Sequence, residues 1–210
     1  MIRSTPLFQR PMPRTYFYST LGIIAVNLLV FLLTEIDQNL HYELDLIPGA
    51  ALAGAWWQPF TYMYAHANFS HILFNMVGLF FFGTAVEAEM GSWEFLVFYH
   101  ATGFLAGLAS LGIFVAMSQF NVDLLGASGA VFGVTLAFAA YRPHARVLVF
   151  FIIPLRARSL VILYAAFELF SQILDPFGGV AHLTHLAGFL FAFLYLLVRL
   201  RINAWKAFWS

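Results

Sequence analysis

The sequence contains no cysteine and very little charge: of its 210 residues only 10% are Asp, Glu, Lys or Arg. Without cysteine there can be no disulfides, no thiolate metal sites and no cysteine nucleophile. So little charge excludes disordered and collagen-like chains, and ten Lys+Arg balanced by ten Asp+Glu leave no basic surface for nucleic acid. What is present is apolar: 62% of residues are hydrophobic and 19% aromatic, with a mean hydropathy of +0.83. Soluble domains are about 45–50% apolar and about 25% charged, so this is the composition of a polytopic membrane protein. The basic start, MIRSTPLFQRPMPRTY, runs into a long apolar stretch with no A-x-A-like site. It reads as a retained tail, not a cleaved signal peptide.

A helix needs about 20 predominantly apolar residues to cross the hydrocarbon. Six segments meet or approach this: Tyr18–Thr34, Phe69–Ala88, Phe95–Met117, Leu125–Tyr141, Ser159–Leu174 and Val180–Leu200. Val147–Leu155 is too short and is interrupted by Pro154, so an interfacial loop is expected there. No repeat is evident and the connections are short. The expected fold is an all-α membrane protein, a six-transmembrane-helix bundle. Residues 1–17 would form an N-terminal tail, 18–200 the bundle and 201–210 a short C-terminal tail.

The cations give the topology. Arg3, Arg10 and Arg14 precede span one; Arg142, Arg146, Arg156 and Arg158 lie between spans four and five; Arg199, Arg201 and Lys206 follow span six. Six spans put all ten on one side, which the positive-inside rule makes cytoplasmic, with both termini inside. Asp37, Glu43, Asp45, Asp123 and Asp175 fall on the other side. The expected location is a bacterial inner membrane.

Strongly polar residues within a membrane are costly, and each is a functional candidate. Three clusters begin spans two, four and six on the extracytoplasmic side: His66, His71 and Asn75; Gly-Ala-Ser-Gly around Ser128; and His182 with His185. Asn75 and His185 lie about six residues in, on the order of 9 Å deep at 1.5 Å per residue. Gly129 and Gly133 on span four, and Gly188 and Ala192 on span six, have the small-xxx-small spacing that lets backbones approach. Such contact would bring the Ser128 hydroxyl within reach of the His185 ring, and a serine needs an adjacent base to become a nucleophile. His71 and Asn75 share a helix face at i, i+4 and can both donate to an oxyanion, as can backbone N–H groups where Ser128 opens its helix. No Asp or Glu is obviously placed to complete a triad, so a serine–histidine dyad is expected.

Other residues have plainer readings. His66 and His71, five apart, would point to different helix faces and make poor joint ligands. His182 and His185 share a face; a metal or haem is one option, and lining a wet mouth above His185 is preferred for His182. His100 and His144 read as structural or interfacial, and Glu168 as a hydrogen-bonded packing residue facing the interior. Trp56, Trp57, Tyr62 and Tyr64 fit an interfacial aromatic belt. Gly103 and Gly107 read as helix-packing residues.

Three motifs carry a resemblance. WWQPFTYMYAHANFSHILFNMVGLFFFGTAVEAEMGS (Trp56–Ser92) contains H-x-x-x-N followed by G-x-x-x-E. GASGAVFG (Gly126–Gly133) contains G-x-S-G, and HLAGFLFA (His185–Ala192) fits H-x-x-G-x-x-x-[GA]. In this order and frame the chain resembles the rhomboid intramembrane serine proteases over nearly its whole length. The resemblance implies a rhomboid-like catalytic domain over 18–200, with Ser128 as nucleophile and His185 as general base. His71, Asn75 and the Ser128 backbone amide would form the oxyanion hole, supported by packing at Gly126, Gly129, Phe132, Gly133 and Gly188. It further implies no cofactor or metal, no nucleic acid, and single-pass transmembrane proteins as substrates, cut near the extracytoplasmic face. Two positions depart from the common pattern: Gln58 stands where many members have Arg after Trp, and Phe132 where many have Tyr. The alternatives weighed are a transporter or channel using the same pocket, a catalytically silent membrane chaperone, and a haem or metal protein built on His182 and His185.

Overall fold

The computed structural model describes residues 12–149, 152–174 and 180–209; Arg3, Arg10 and Asp175 lie outside them. Besides short helices in the first loop (Asn39–Leu44, Pro48–Leu52 and Gln58–Thr61), the described chain forms α1 (Ser19–Ile36), α2 (Phe69–Met90), α3 (Ser92–Ala116), α4 (Ser128–Tyr141), α5 (Ala157–Leu174), α6 (Val180–Val198) and α7 (Ala204–Trp209). The first six answer to the six apolar segments. Helices α1, α2, α3 and α5 are long and apolar enough to cross a membrane, while α4 and the stretch His182–Val198 of α6 are shorter apolar helices. The protein is a multi-pass integral membrane protein.

Helix α4 forms the axis of the bundle. Ten of its 14 residues are buried, so its surroundings are protein and not lipid. At 1.5 Å per residue it is about 21 Å long, against about 30 Å of hydrocarbon, and Ser128 is its first residue. A helix this short leaves chain at its ends at membrane depth, where backbone polar groups need protein partners. The first loop supplies them. Leu46 and Leu124 exchange backbone hydrogen bonds at 2.8 and 3.1 Å, Gly49 N–H donates to Phe120 O at 2.8 Å, and Gly126 N–H to Tyr62 O at 2.8 Å.

That loop is itself pinned by the departing residue Gln58, which is buried. Its Oε1 accepts from Ile47 N–H at 3.0 Å and its Nε2 donates to Tyr42 O at 2.9 Å. Trp57 Nε1 adds a bond to Glu43 O at 2.9 Å. An uncharged amide thus ties the loop through one donor and one acceptor.

Glu87 fastens α2 to the start of α1. Its carboxylate accepts the Ser19 N–H (2.6 Å) and hydroxyl (2.8 Å), the Thr20 N–H (2.9 Å) and hydroxyl (2.6 Å), and the Ser92 hydroxyl. An anion at a helix N-terminus takes up N–H groups that have no intrahelical acceptor. Gly83, one turn earlier, leaves room for Thr20. At the end of the bundle away from Ser128, Arg142 pairs with Glu89 at 2.9 Å and Arg199 with Glu94 at 2.8 Å. Arg158 there donates to Phe208 O at 2.6 Å.

Two expectations are corrected, and the short C-terminal tail gains structure. The segment read as an interfacial loop is an antiparallel hairpin, β1 (Arg146–Val149) with β2 (Ile153–Arg156). Pro154 is tolerated because a two-stranded hairpin has only edge strands. The C-terminal tail contains α7, whose Ala204 and Phe208 are buried. Tyr62 does not join an aromatic belt: it is 1% exposed and its hydroxyl donates to Gly103 O at 2.6 Å.

Candidate active site

Helices α4 and α6 meet at their backbones. A Cβ built on Gly188 would lie 2.1 Å from Gly129 O, and one on Gly133 would lie 3.1 Å from the Ala192 Cβ. Ser110 on α3 locks the pair from behind, its hydroxyl 2.7 Å from that of Thr184. This approach sets His185 beside the first residue of α4: His185 Nε2 and Ser128 Oγ are 2.7 Å apart. The Phe132 ring stacks on the imidazole at 4.2 Å with a 6° interplanar angle, fixing the plane in which Nε2 points. Phe189 and Tyr164 close around Phe132 at 5.2 and 5.6 Å.

Across the serine stands His71. Gly126 has φ +122°, a conformation open to glycine, and a Cβ there would meet His71 Nε2 at 2.7 Å and Ser128 Oγ at 3.7 Å. His71 Nε2 therefore lies over Gly126, on the same glycine that the Ser128 hydroxyl approaches. On the other ring nitrogen, Nδ1 faces Ala67 N–H at 3.5 Å, a long contact that favours the tautomer with the proton on Nε2. Asn68 caps α2, its Oδ1 accepting His71 N–H at 2.9 Å. Asn75 follows one turn deeper and is buried; its Nδ2 donates to His71 O at 2.9 Å, leaving the second amide hydrogen for another acceptor.

His66 does not share a helix with His71, as the five-residue spacing had suggested. It precedes α2, is fully buried, and its ring meets that of His71 edge-on at 5.0 Å. Its Nδ1 lies 3.3 Å from Tyr64 O and its Nε2 3.4 Å from Ala127 N, so the neutral ring braces the turn into α4. Burial, then the neighbouring His71, pushes its pKa down to about 4. His100 is structural: Nδ1 bonds Leu96 O at 2.7 Å and Nε2 bonds the Tyr64 hydroxyl at 2.6 Å.

Glu168 faces the interior and is hydrogen-bonded, as expected, but its partners are the site's own histidines. Its buried carboxylate is shared by both histidines of α6: Oε1 lies 3.0 Å from His185 Nδ1, at ion-pair distance though out of line for a hydrogen bond. Oε2 hydrogen-bonds His182 Nδ1. An acid is therefore beside the serine-contacting histidine, where none was expected. Depth held the signal: Glu168 is six residues from the end of α5, and His185 five from the start of α6. At 1.5 Å per residue both lie within about 9 Å of the same surface.

The profile of the Rhomboid domain matches residues 53–202. The chain belongs to the rhomboid family. It is 33% identical over 145 residues to YdcA of Bacillus subtilis, covering 67% of this chain and 68% of that protein. It is 34% identical over 134 residues to the rhomboid protease GluP of the same organism, 60% of this chain and 24% of GluP. It is 29% identical over 145 residues to the rhomboid protease AarA of Providencia stuartii, 58% of this chain and 50% of AarA. The alignment thus spans two thirds of YdcA but half or less of the other two. In this rhomboid the matched region holds Ser128, His185, His71, Asn75, Glu168 and His182.

Proposed function

We propose that this rhomboid is an intramembrane serine endopeptidase acting on single-pass transmembrane proteins. The observation that carries the reading is the 2.7 Å contact between Ser128 Oγ and His185 Nε2, formed by two helices in backbone contact. The Ser128 hydroxyl donates to Nε2. As Oγ attacks the scissile carbonyl carbon, the proton passes to His185. The resulting oxyanion accepts hydrogen bonds from His71 Nε2–H, the Asn75 amide and the Ser128 N–H. Collapse expels the amine, which takes the proton from His185, and leaves an ester on Ser128. Water then attacks the ester, with His185 again as base, and frees the serine. Glu168, facing Nδ1, favours the tautomer that leaves Nε2 as acceptor and offsets the imidazolium charge. It is a positioning residue.

A substrate segment would have to leave its helical conformation, because amides in a helix are closed to a nucleophile. Residues that weaken helices should be preferred near the cut. In this reading the positive-inside rule sets the hairpin end in the cytoplasm and Ser128 toward the extracytoplasmic face, with 18–200 as the catalytic domain and both termini inside. A bacterial inner membrane fits this orientation. The test is cleavage of a single-pass substrate in proteoliposomes. Wild type should cut it, while Ser128→Ala and His185→Ala should retain the fold and lose the activity. Undiminished cutting by Ser128→Ala would end the proposal.

A further inference from the structure

Most ionisable clusters in the described residues have a structural task. Glu87 holds α1, Glu94 is bonded by Tyr195 and Arg199, and Asp45 answers His41 within the first loop. One cluster exceeds its task. Two imidazoles at i, i+3 on α6 turn their Nδ1 atoms to one carboxylate on α5, and the three ligand atoms lie within 4.8 Å of one another. Holding His185 requires one oxygen of Glu168; the second oxygen and the His182 ring add a further nitrogen donor that the proteolytic reading leaves unused.

We infer that Glu168, His182 and His185 form a binding site for a divalent transition metal of the zinc class, and that occupancy switches the protease off. The inference rests on the proposed role of His185 and adds a regulation of that same site. Two imidazole nitrogens and one carboxylate oxygen form a donor set that zinc takes, with a fourth position left for water. In a tetrahedron with bonds of about 2.0–2.1 Å, neighbouring ligand atoms sit about 3.3 Å apart. The pair at Glu168 Oε1 and His185 Nδ1 is already at 3.0 Å. The His182 side chain is 26% exposed against 6% for Glu168, so it is the ligand with room to adjust and the side from which an ion would enter.

The consequence follows from the ring. Coordination needs the Nδ1 lone pair of His185, so the single proton of the neutral imidazole moves from Nδ1 to Nε2. Nε2 faces Ser128 Oγ at 2.7 Å, and once protonated it can donate to the hydroxyl but no longer accept its proton. The base is lost while the geometry stays. His182 undergoes the same shift, its Nε2–H being left outside the metal. No proton leaves the two rings, and no redox step is involved.

The experiment uses untagged protein in detergent. Calorimetric titration of Ser128→Ala with zinc chloride should show one saturable ion per chain. Adding His182→Gln or Glu168→Gln should weaken it by on the order of tenfold or more, the loss that even an outer-shell partner of a metal can cause. In the wild-type background, fluorophosphonate labelling of Ser128 should fall with zinc and return with EDTA. His182→Gln should label normally without metal and need on the order of tenfold more zinc to be inhibited. Absence of saturable binding, or equal binding by both variants with unchanged melting temperatures, would overturn the site. Saturable zinc that leaves labelling intact would overturn the switch. Wild type that never labels would contradict the protease reading, and the calorimetry would still decide the site.

Discussion

Helices α4 and α5 both approach His185, and they are built in opposite ways. Helix α4 buries ten of 14 residues and touches α6 through glycine backbones, so the serine side of the histidine is held by contacts that cannot relax. Helix α5 buries Ala157, Leu160, Val161 and Glu168 of its 18 residues, while Leu163, Phe167 and Phe170 are more than half exposed to what would be lipid. The carboxylate side is therefore held mainly by polar bonds on a loosely packed helix. The nucleophile–base contact is specified by shape and the base–acid contact by charge. Changes on α4 and α6 should break the site outright, and changes on α5 should tune it.

The largest effect is expected from Gly188→Ala, which sets a Cβ 2.1 Å from Gly129 O. Overpacking costs about 1–3 kcal/mol even where side chains yield, and here backbone must move. Thermal stability and fluorophosphonate labelling should fall together. Gly126→Ala should come next, because its Cβ would strike His71 Nε2 at a positive φ. Cleavage should drop by roughly 10²–10³, the effect of one lost oxyanion donor, measured as kcat with KM little changed. Glu168→Gln should lower kcat by about ten- to a hundredfold, as loss of an orienting partner does, with partial rescue by Glu168→Asp and a small change in melting temperature. Leu163→Ala, on the exposed face of α5, should stay within about 0.5 kcal/mol of wild type. If Leu163→Ala matched Gly188→Ala, the contrast between the helices would fail.

Acid should loosen the α4 side through His66. Its folded pKa of about 4 lies below the ordinary histidine value of 6.5, so between those values the unfolded chain binds more protons than the folded one. Stability is full above about pH 6.5, declines as pH falls toward about 4, and gains no further loss from this residue below that. Melting temperatures of wild type and His66→Gln across that window check it, since the variant should lose this part of the slope.

The spans and the α4–α6 contact were legible because each depends on local pattern. Long apolar runs fix where helices cross, and the glycines beside Ser128 and after His185 mark where two backbones can touch. Glu168 was not legible, because its role depends on which face α5 turns to α6. That orientation comes from tertiary packing, not from periodicity in a helix apolar on most sides. Tyr62 was misread for a related reason: an aromatic before a span suits an interface until the loop folds inward and gives its hydroxyl to Gly103. The hairpin at Arg146–Arg156 was hidden by Pro154, which argues against a central strand but not against a lone two-stranded one.

The measurement nearest the central claim is labelling of detergent-solubilised protein with a fluorescent fluorophosphonate, comparing wild type, Ser128→Ala and His185→Ala. The account predicts a labelled wild type and two unlabelled variants that melt as wild type does. A folded wild type that stays unlabelled under saturating probe, or a His185→Ala protein that labels as fast as wild type, would contradict it.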